Sequence, residues 1–200
     1  SPADLVIGEL RLFGMPFPDQ SLFEARDLVM QDLYWLVDYA GQNLADPPNV
    51  AGWPAYYLYP GYDDLWIDTA TFPTRNNALL GSLYGGFETP SVTVLPESAD
   101  LTFQFDLVAF TQLLDTPTDP ELLIDQLAEF MFVNPISESV KDQLKQNYLL
   151  LGQSNDDYWS LAYATYVADP NTPDMTAQLV PDILKWLIGD MQQAAEHHLF

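Results

Sequence analysis

Asp63, Asp64 and Asp68 stand on either side of Trp66, just downstream of Tyr56, Tyr57, Tyr59 and Tyr62. Carboxylates set close together beside flat aromatic rings could supply the acid and the base or nucleophile of glycoside hydrolysis. The same oxygens suit Ca²⁺, a hard cation that prefers oxygen ligands. Helix capping by Asp68 and plain solvation of Asp63 and Asp64 account for these residues equally well. Asp169, Asn171 and Asp174, in the turn DPNTPD, form a second oxygen-rich set. They lack the glycine and terminal glutamate of an EF-hand loop, so caps and turns are expected there. The rings of Trp53, Tyr56, Tyr57, Tyr59, Tyr62 and Trp66 could stack on a glycan or a partner peptide, and a loop covering a core would use the same residues.

Other chemistries have little material. The two histidines, His197 and His198, are adjacent, so a Ser-His-Asp triad or a histidine-rich metal centre would need groups from another segment. Cysteine is absent, which excludes thiolate catalysis, disulfides and cysteine-based zinc sites. No glycine-rich phosphate loop or dinucleotide fingerprint is present. The sequence predicts no cofactor, with Ca²⁺ the one ion left open.

Charge narrows the partners. Twenty-nine acidic residues face six basic ones, for a formal net charge of −23. Nucleic acid is excluded as a ligand because binding it requires cations that replace phosphate counterions. Anionic membrane surfaces are disfavoured for the same reason. No run of apolar residues is long enough to span a bilayer, so membrane insertion is not expected. No secretory leader pattern occurs, so any export signal is expected upstream.

The elements that must position these groups are mostly helical. Ser1-Pro2-Ala3-Asp4 reads as a capped helix start, and Leu5, Val6, Ile7, Leu10 and Phe13 lead to a stop at Gly14. Leu22, Ala25, Val29, Leu33, Leu36 and Ala40 recur at helical spacing up to Gly41. From Asn43 to Asp68 the periodicity disappears in a long loop rich in proline and aromatics. A helix returns from Asp68 or Thr69 to Tyr84 and stops at Gly85-Gly86. Ser91 to Leu95 is the one strand-like alternation, and Asp106 to Leu114 reads as a short helix.

The C-terminal half reads as four punctuated helices. Asp119-Pro120 opens the first, with Leu123, Leu127, Phe130 and Met131 on its stripe. Ser137 opens the second, carrying Val140, Leu144, Tyr148 and Leu151 to Gly152. Ser154 and Asp157 read as a capping pair for the third, which Asp169-Pro170 ends. Thr172-Pro173 opens the last, whose buried face is Leu184, Leu187, Ile188 and Met191, with Pro181 placed to kink or divide it. The fold class is therefore all-α: an irregular bundle of about seven helices with a long Pro/aromatic-rich loop, expected as one domain over residues 1–200.

The run GQNLADPPNVAGWP, from Gly41 to Pro54, is followed by LWIDTATFPTRNNAL from Leu65 to Leu79. Together they resemble the signature of an uncharacterised bacterial family known as domain of unknown function 1800. The matching positions are Gly41-Gln42, Pro47, Pro48, Gly52, Trp53 and Pro54, then Trp66-Ile67-Asp68 and Arg75-Asn76. The opening Ser-Pro, apolar helix and arginine resemble the family's upstream segment, and Asp119 to Leu151 fits its closing helices. The resemblance implies the C-terminal portion of a larger protein, exported by Gram-negative bacteria to the periplasm or cell surface. It implies further helices and histidine-containing motifs N-terminal to this region, and no settled activity.

Read physically, Pro47, Pro48 and Pro54 stiffen the octapeptide, and Gly52 allows a positive φ before Trp53 enters a pocket between helices. Arg75 is expected to bond loop carbonyls or a carboxylate such as Asp46 or Asp68, locking the second helix to the third. Two functions follow. The first is a non-catalytic helical structural or interaction module, contacting the N-terminal remainder of the same protein or another exported protein, with the loop 53–66 able to take a partner or glycan. The second is part of a secreted hydrolase acting on polysaccharide or another polymer, with Asp63, Asp64 or Asp68 contributing.

Overall fold

Ser1 caps the first helix as its sequence requires. Its hydroxyl faces Asp4 at 2.8 Å and accepts from the Asp4 amide, while the Asp4 carboxylate reaches back to the N-terminal amine, closing a capping box around α1 (Pro2–Leu12). In the computed structural model, residues 1–53, 67–94 and 97–198 are described. They fall into two compact units, Ser1–Phe105 and Asp106–Phe200.

In the first unit α1 ends in a Schellman turn. Met15 N–H bonds Leu10 C=O and Gly14 N–H bonds Arg11 C=O, with Gly14 at φ 63°. Leu5, Val6, Leu10 and Phe13 are buried, whereas Ile7 is exposed. Helix α2 (Phe23–Tyr39) buries Ala25, Val29 and Val37 and packs on α1, on α3 (Thr71–Gly85) and on a hairpin. That hairpin pairs β1 (Phe87–Val94) antiparallel with β2 (Glu97–Phe103), Phe87 opposite Phe103 and Val94 opposite Glu97.

The helical fold class holds, and the hairpin is a small two-stranded addition to a mostly α fold. Its first strand begins at Phe87, four residues before the alternation visible in the sequence, and buries Phe87, Thr89 and Val92. Its second strand buries almost nothing, so no alternating pattern marks it. An irregularity between Thr89 and Val92 puts Ser91 at φ 57°, where its amide bonds the Asp100 carboxylate at 2.7 Å.

The second unit is built of helices joined by turns, with no strand among its described residues. Asp106 caps α4 (Leu107–Thr111), and Asp119 caps α5 (Pro120–Met131) by accepting from Glu121 and Leu122 N–H. Helix α5 buries Leu123, Leu127 and Met131, but Phe130, expected on that stripe, is half exposed. Helix α6 (Glu138–Leu144), capped by Ser137, continues into a π-helical turn over Lys145–Leu149, closed by Leu150 N–H to Lys145 C=O. A π turn adds one residue and rotates everything after it by about a quarter turn. Leu149 and Leu150 therefore face the core, and Leu151, expected there, is exposed.

Helix α7 (Asp157–Ala168) starts without the predicted Ser154–Asp157 pair, because the Asn155 side chain accepts from Asp157 N–H at 3.0 Å instead. The last predicted helix is two. Asp174 caps α8 (Met175–Gln178), and Pro181 lies in the first turn of α9 (Val180–Gln193), where a missing N–H costs nothing. Leu184, Leu187, Ile188 and Met191 are buried as expected, and α9 packs against α4, α7 and the π turn.

Candidate functional site

The family-like residues around Gly41 turn out to be joints. Ala40 ends α2 and Gly41 follows at φ 107°, in the positive-φ region that glycine tolerates. Gly41 N–H bonds Asp38 C=O and Gln42 N–H bonds Val37 C=O, which completes a Schellman turn. Gln42 is thereby aimed at α1, where its buried side-chain oxygen accepts from Ala3 N–H at 3.0 Å. This satisfies a first-turn amide that has no partner inside its own helix, a contribution of about 1 kcal/mol. The Gly-Gln pair thus ties the C-terminus of α2 to the N-terminus of α1, a link between positions 39 residues apart in sequence.

Two Asx turns shape the chain beyond. The Asn43 side chain accepts from Ala45 N–H, Asp46 N–H and, at 2.7 Å, from the Tyr34 hydroxyl on α2. Asn49 accepts from Ala51 N–H at 2.8 Å, and Gly52 follows at φ 88°. Pro47, Pro48, Asn49, Val50 and Ala51 are all exposed, Val50 completely at 109%. This corrects the expectation of a packed octapeptide: the order of its described residues comes from local turns, with Gly52 and Trp53 half buried. Pro54, Tyr56, Tyr57, Tyr59, Tyr62, Asp63, Asp64 and Trp66 lie outside the described residues.

Asp68 is a capping residue. Its carboxylate accepts from Ala70 N–H and Thr71 N–H, each at 2.7 Å, and its own amide bonds the Thr71 hydroxyl. Those backbone hydrogen bonds hold its carboxyl below the usual carboxylate range. Arg75 is 2% exposed on the inner face of α3, with Asn76 half buried beside it. Of the partners expected for Arg75, Asp68 forms no ion pair with it among the described residues, and Asp68 Oδ1 is engaged with the helix start. Glu9 on α1 is equally buried, so two opposite charges lie inside the unit on helices that pack together.

The second oxygen-rich set behaves the same way. Asp169 accepts from Asn171 N–H, and Asp174 from Thr176 and Ala177 N–H. Among the described residues no cluster of three or more His, Cys, Asp or Glu could hold a metal ion. His197 and His198 are buried in a 3₁₀ turn over Ala195–His198. His197 Nδ1 lies 2.9 Å from Met131 C=O and His198 Nε2 lies 3.1 Å from Gln192 C=O. A ring nitrogen facing a carbonyl must carry the proton, so both nitrogens act as donors.

Three concavities stand out among the described residues. One, of about 410 Å³, is a nearly apolar cleft lined by Ile7, Leu10, Phe17, Val29 and Phe87, with Arg11 among its lining residues. Another, of about 420 Å³ in the second unit, contains Asp125 and Lys141, but Lys141 is already held by Asp125 at 2.8 Å and Glu138 at 2.9 Å. The third, of about 280 Å³, lies between α2 and α3 and is lined by Asp32, Trp35, Leu36 and Tyr39 across from Gly81, Ser82, Gly86 and Phe87.

This third cleft combines recognition chemistry that the other two lack. Trp35 is 60% exposed and Tyr39 52%. Tyr34 packs edge-on against Trp35, with centroids 5.2 Å apart, which steadies the indole. Asp32 reaches solvent, yet partial burial raises its carboxyl above the usual carboxylate range. None of these three residues was singled out by sequence reasoning. The signal was present: positions 32, 35 and 39 share one helical face, beside the buried stripe.

The fold and site define a mostly helical module with an aromatic cleft and acidic caps. The model of the family described as "Protein of unknown function (DUF1800)" matches residues 1–172, and the chain belongs to that family. No curated protein and no solved structure gave a match.

Proposed function

We propose that the chain is a non-catalytic helical interaction module of an exported protein, engaging a partner through aromatic side chains. The observation that carries this reading is the pair Trp35 and Tyr39, one helical turn apart and both open to solvent in a cleft. Large amphipathic rings displayed on a rigid helix are the residues that anchor interfaces. The loop aromatics Trp53 to Trp66 carry the same chemistry, for a partner or a glycan. Against a hydrolase role, Asp68 has its carboxyl held low by backbone donors, the opposite of what a general acid needs.

Incubation with chromogenic glycosides and esters, with and without Ca²⁺, is expected to give no turnover above the uncatalysed rate. Turnover that disappears in Asp68→Asn or Asp32→Asn would contradict the reading.

A further inference from the structure

We infer that the α2–α3 cleft receives a guanidinium or ammonium side chain of a basic polypeptide partner. The inference rests on the interaction-module reading and adds the chemistry of the ligand. Asp32, Trp35 and Tyr39 are spaced i, i+3 and i+7 on α2, so a carboxylate and two exposed rings converge on one opening. Rings present negative π faces, and a cation close to them is attracted to the quadrupole. The Asp32 carboxylate has no ion pair or hydrogen bond among the described residues. It stands exposed where the cleft begins, with no protein cation paired to it among the described residues.

A neutral sugar could stack on the rings but would leave that charge without a counterion. A lysine or arginine satisfies both, with its apolar stem along Leu36 and Phe87 and its charged head between ring and carboxylate. Opposite the rings Gly81 leaves the cleft open: a Cβ built there meets nothing within 4 Å. The net charge of −23 draws a basic partner toward the surface, and Asp32 with the rings supplies the specific contact.

The test uses the isotope-labelled 200-residue chain, following the Trp35 indole N–H by NMR at about 0.15 M salt, where diffuse attraction is screened. The probes are acetyl-Gly-Arg-Gly-amide, its Gln counterpart and cellotetraose. The arginine peptide is expected to shift the indole signal saturably and the Gln peptide is not. Asp32→Asn should weaken binding roughly tenfold, and Gly81→Leu, which plugs the cleft from a helical position without strain, should abolish it. Asp27→Asn, which removes the same charge from α2 outside the cleft lining, should leave binding unchanged. Should Gly81→Leu fail to fold, Trp35→Ala provides the same loss, read at the neighbouring backbone amides.

Absence of a saturable shift with the arginine peptide, or equal affinity in Asp32→Asn, would overturn the inference. A shift with cellotetraose that ignores Asp32→Asn would also overturn it, while leaving an aromatic binding surface in place.

Discussion

Gly86→Ala is expected to destabilise the protein by about 3 kcal/mol or more, although it adds a single methyl group. Gly86 ends α3 and begins the hairpin at φ 68°, ψ −150°, a conformation that residues with a Cβ avoid. A Cβ there would sit 2.3 Å from the Phe103 carbonyl oxygen and 2.7 Å from Gln104 Cγ. The first of these is backbone, held by the pairing of Phe87 with Phe103, so it cannot step aside cheaply. The same change at Gly81, five residues earlier on α3, should stabilise by about 0.5–1 kcal/mol, because alanine is the better helix former and the new methyl meets no neighbour. Urea unfolding of the two variants checks this directly. Similar midpoints for Gly86→Ala and the wild type would show that the helix-to-hairpin turn is looser than described.

Trp159→Ala carries the other large effect, a loss of about 3–5 kcal/mol. The side chain is fully buried, its indole N–H donates to Pro117 C=O at 2.9 Å, and its ring lies 5.3 Å from that of Tyr163. Tyr163 in turn shares a 2.9 Å hydrogen bond with the Thr111 hydroxyl. Tyr163, the large buried neighbour on α7, is held by its bond to Thr111 and is not free to swing into the space left behind. Guanidinium unfolding followed by far-ultraviolet circular dichroism should show the lowered midpoint. Trp159→Phe should lose less, keeping most of the buried area but leaving the Pro117 carbonyl without its donor.

How much of this was legible in the sequence depends on the range of the interaction. Caps are local, and Ser1, Asp106, Asp119 and Ser137 sit where the pattern put them. The buried face of α9 was legible because four positions at helical spacing all point inward. Strand β2 was not, since an almost fully exposed strand has no face to alternate. The π turn after α6 was hidden because nothing in Lys145–Leu149 marks an extra residue, yet it exchanged Leu151 for Leu149 and Leu150 at the core.

The candidate site divides the same way. Gly41 was readable as a helix stop, but the Gln42 bond to Ala3 joins distant positions and required the fold. Capping and turn roles were readable beside ligand chemistry for Asp68, Asp169 and Asp174, and all three accept backbone N–H groups. Trp35 and Tyr39 passed unnoticed because the conspicuous aromatics were those of the loop. In α2 they interrupt no pattern and become informative once their exposure is known.

The proposed role of Trp35 and Tyr39 is in binding and not in stability. Ligand-induced thermal shift on Trp35→Ala separates the two, using saturating acetyl-Gly-Arg-Gly-amide as the probe. Without peptide, the variant should unfold within about 0.5 kcal/mol of the wild type, as expected for an exposed side chain. With peptide, the wild-type midpoint should rise, because the ligand binds the folded state alone, and the Trp35→Ala midpoint should stay where it was. A variant that melts well below the wild type yet gains the same shift from the peptide would contradict the claim and make Trp35 a structural residue.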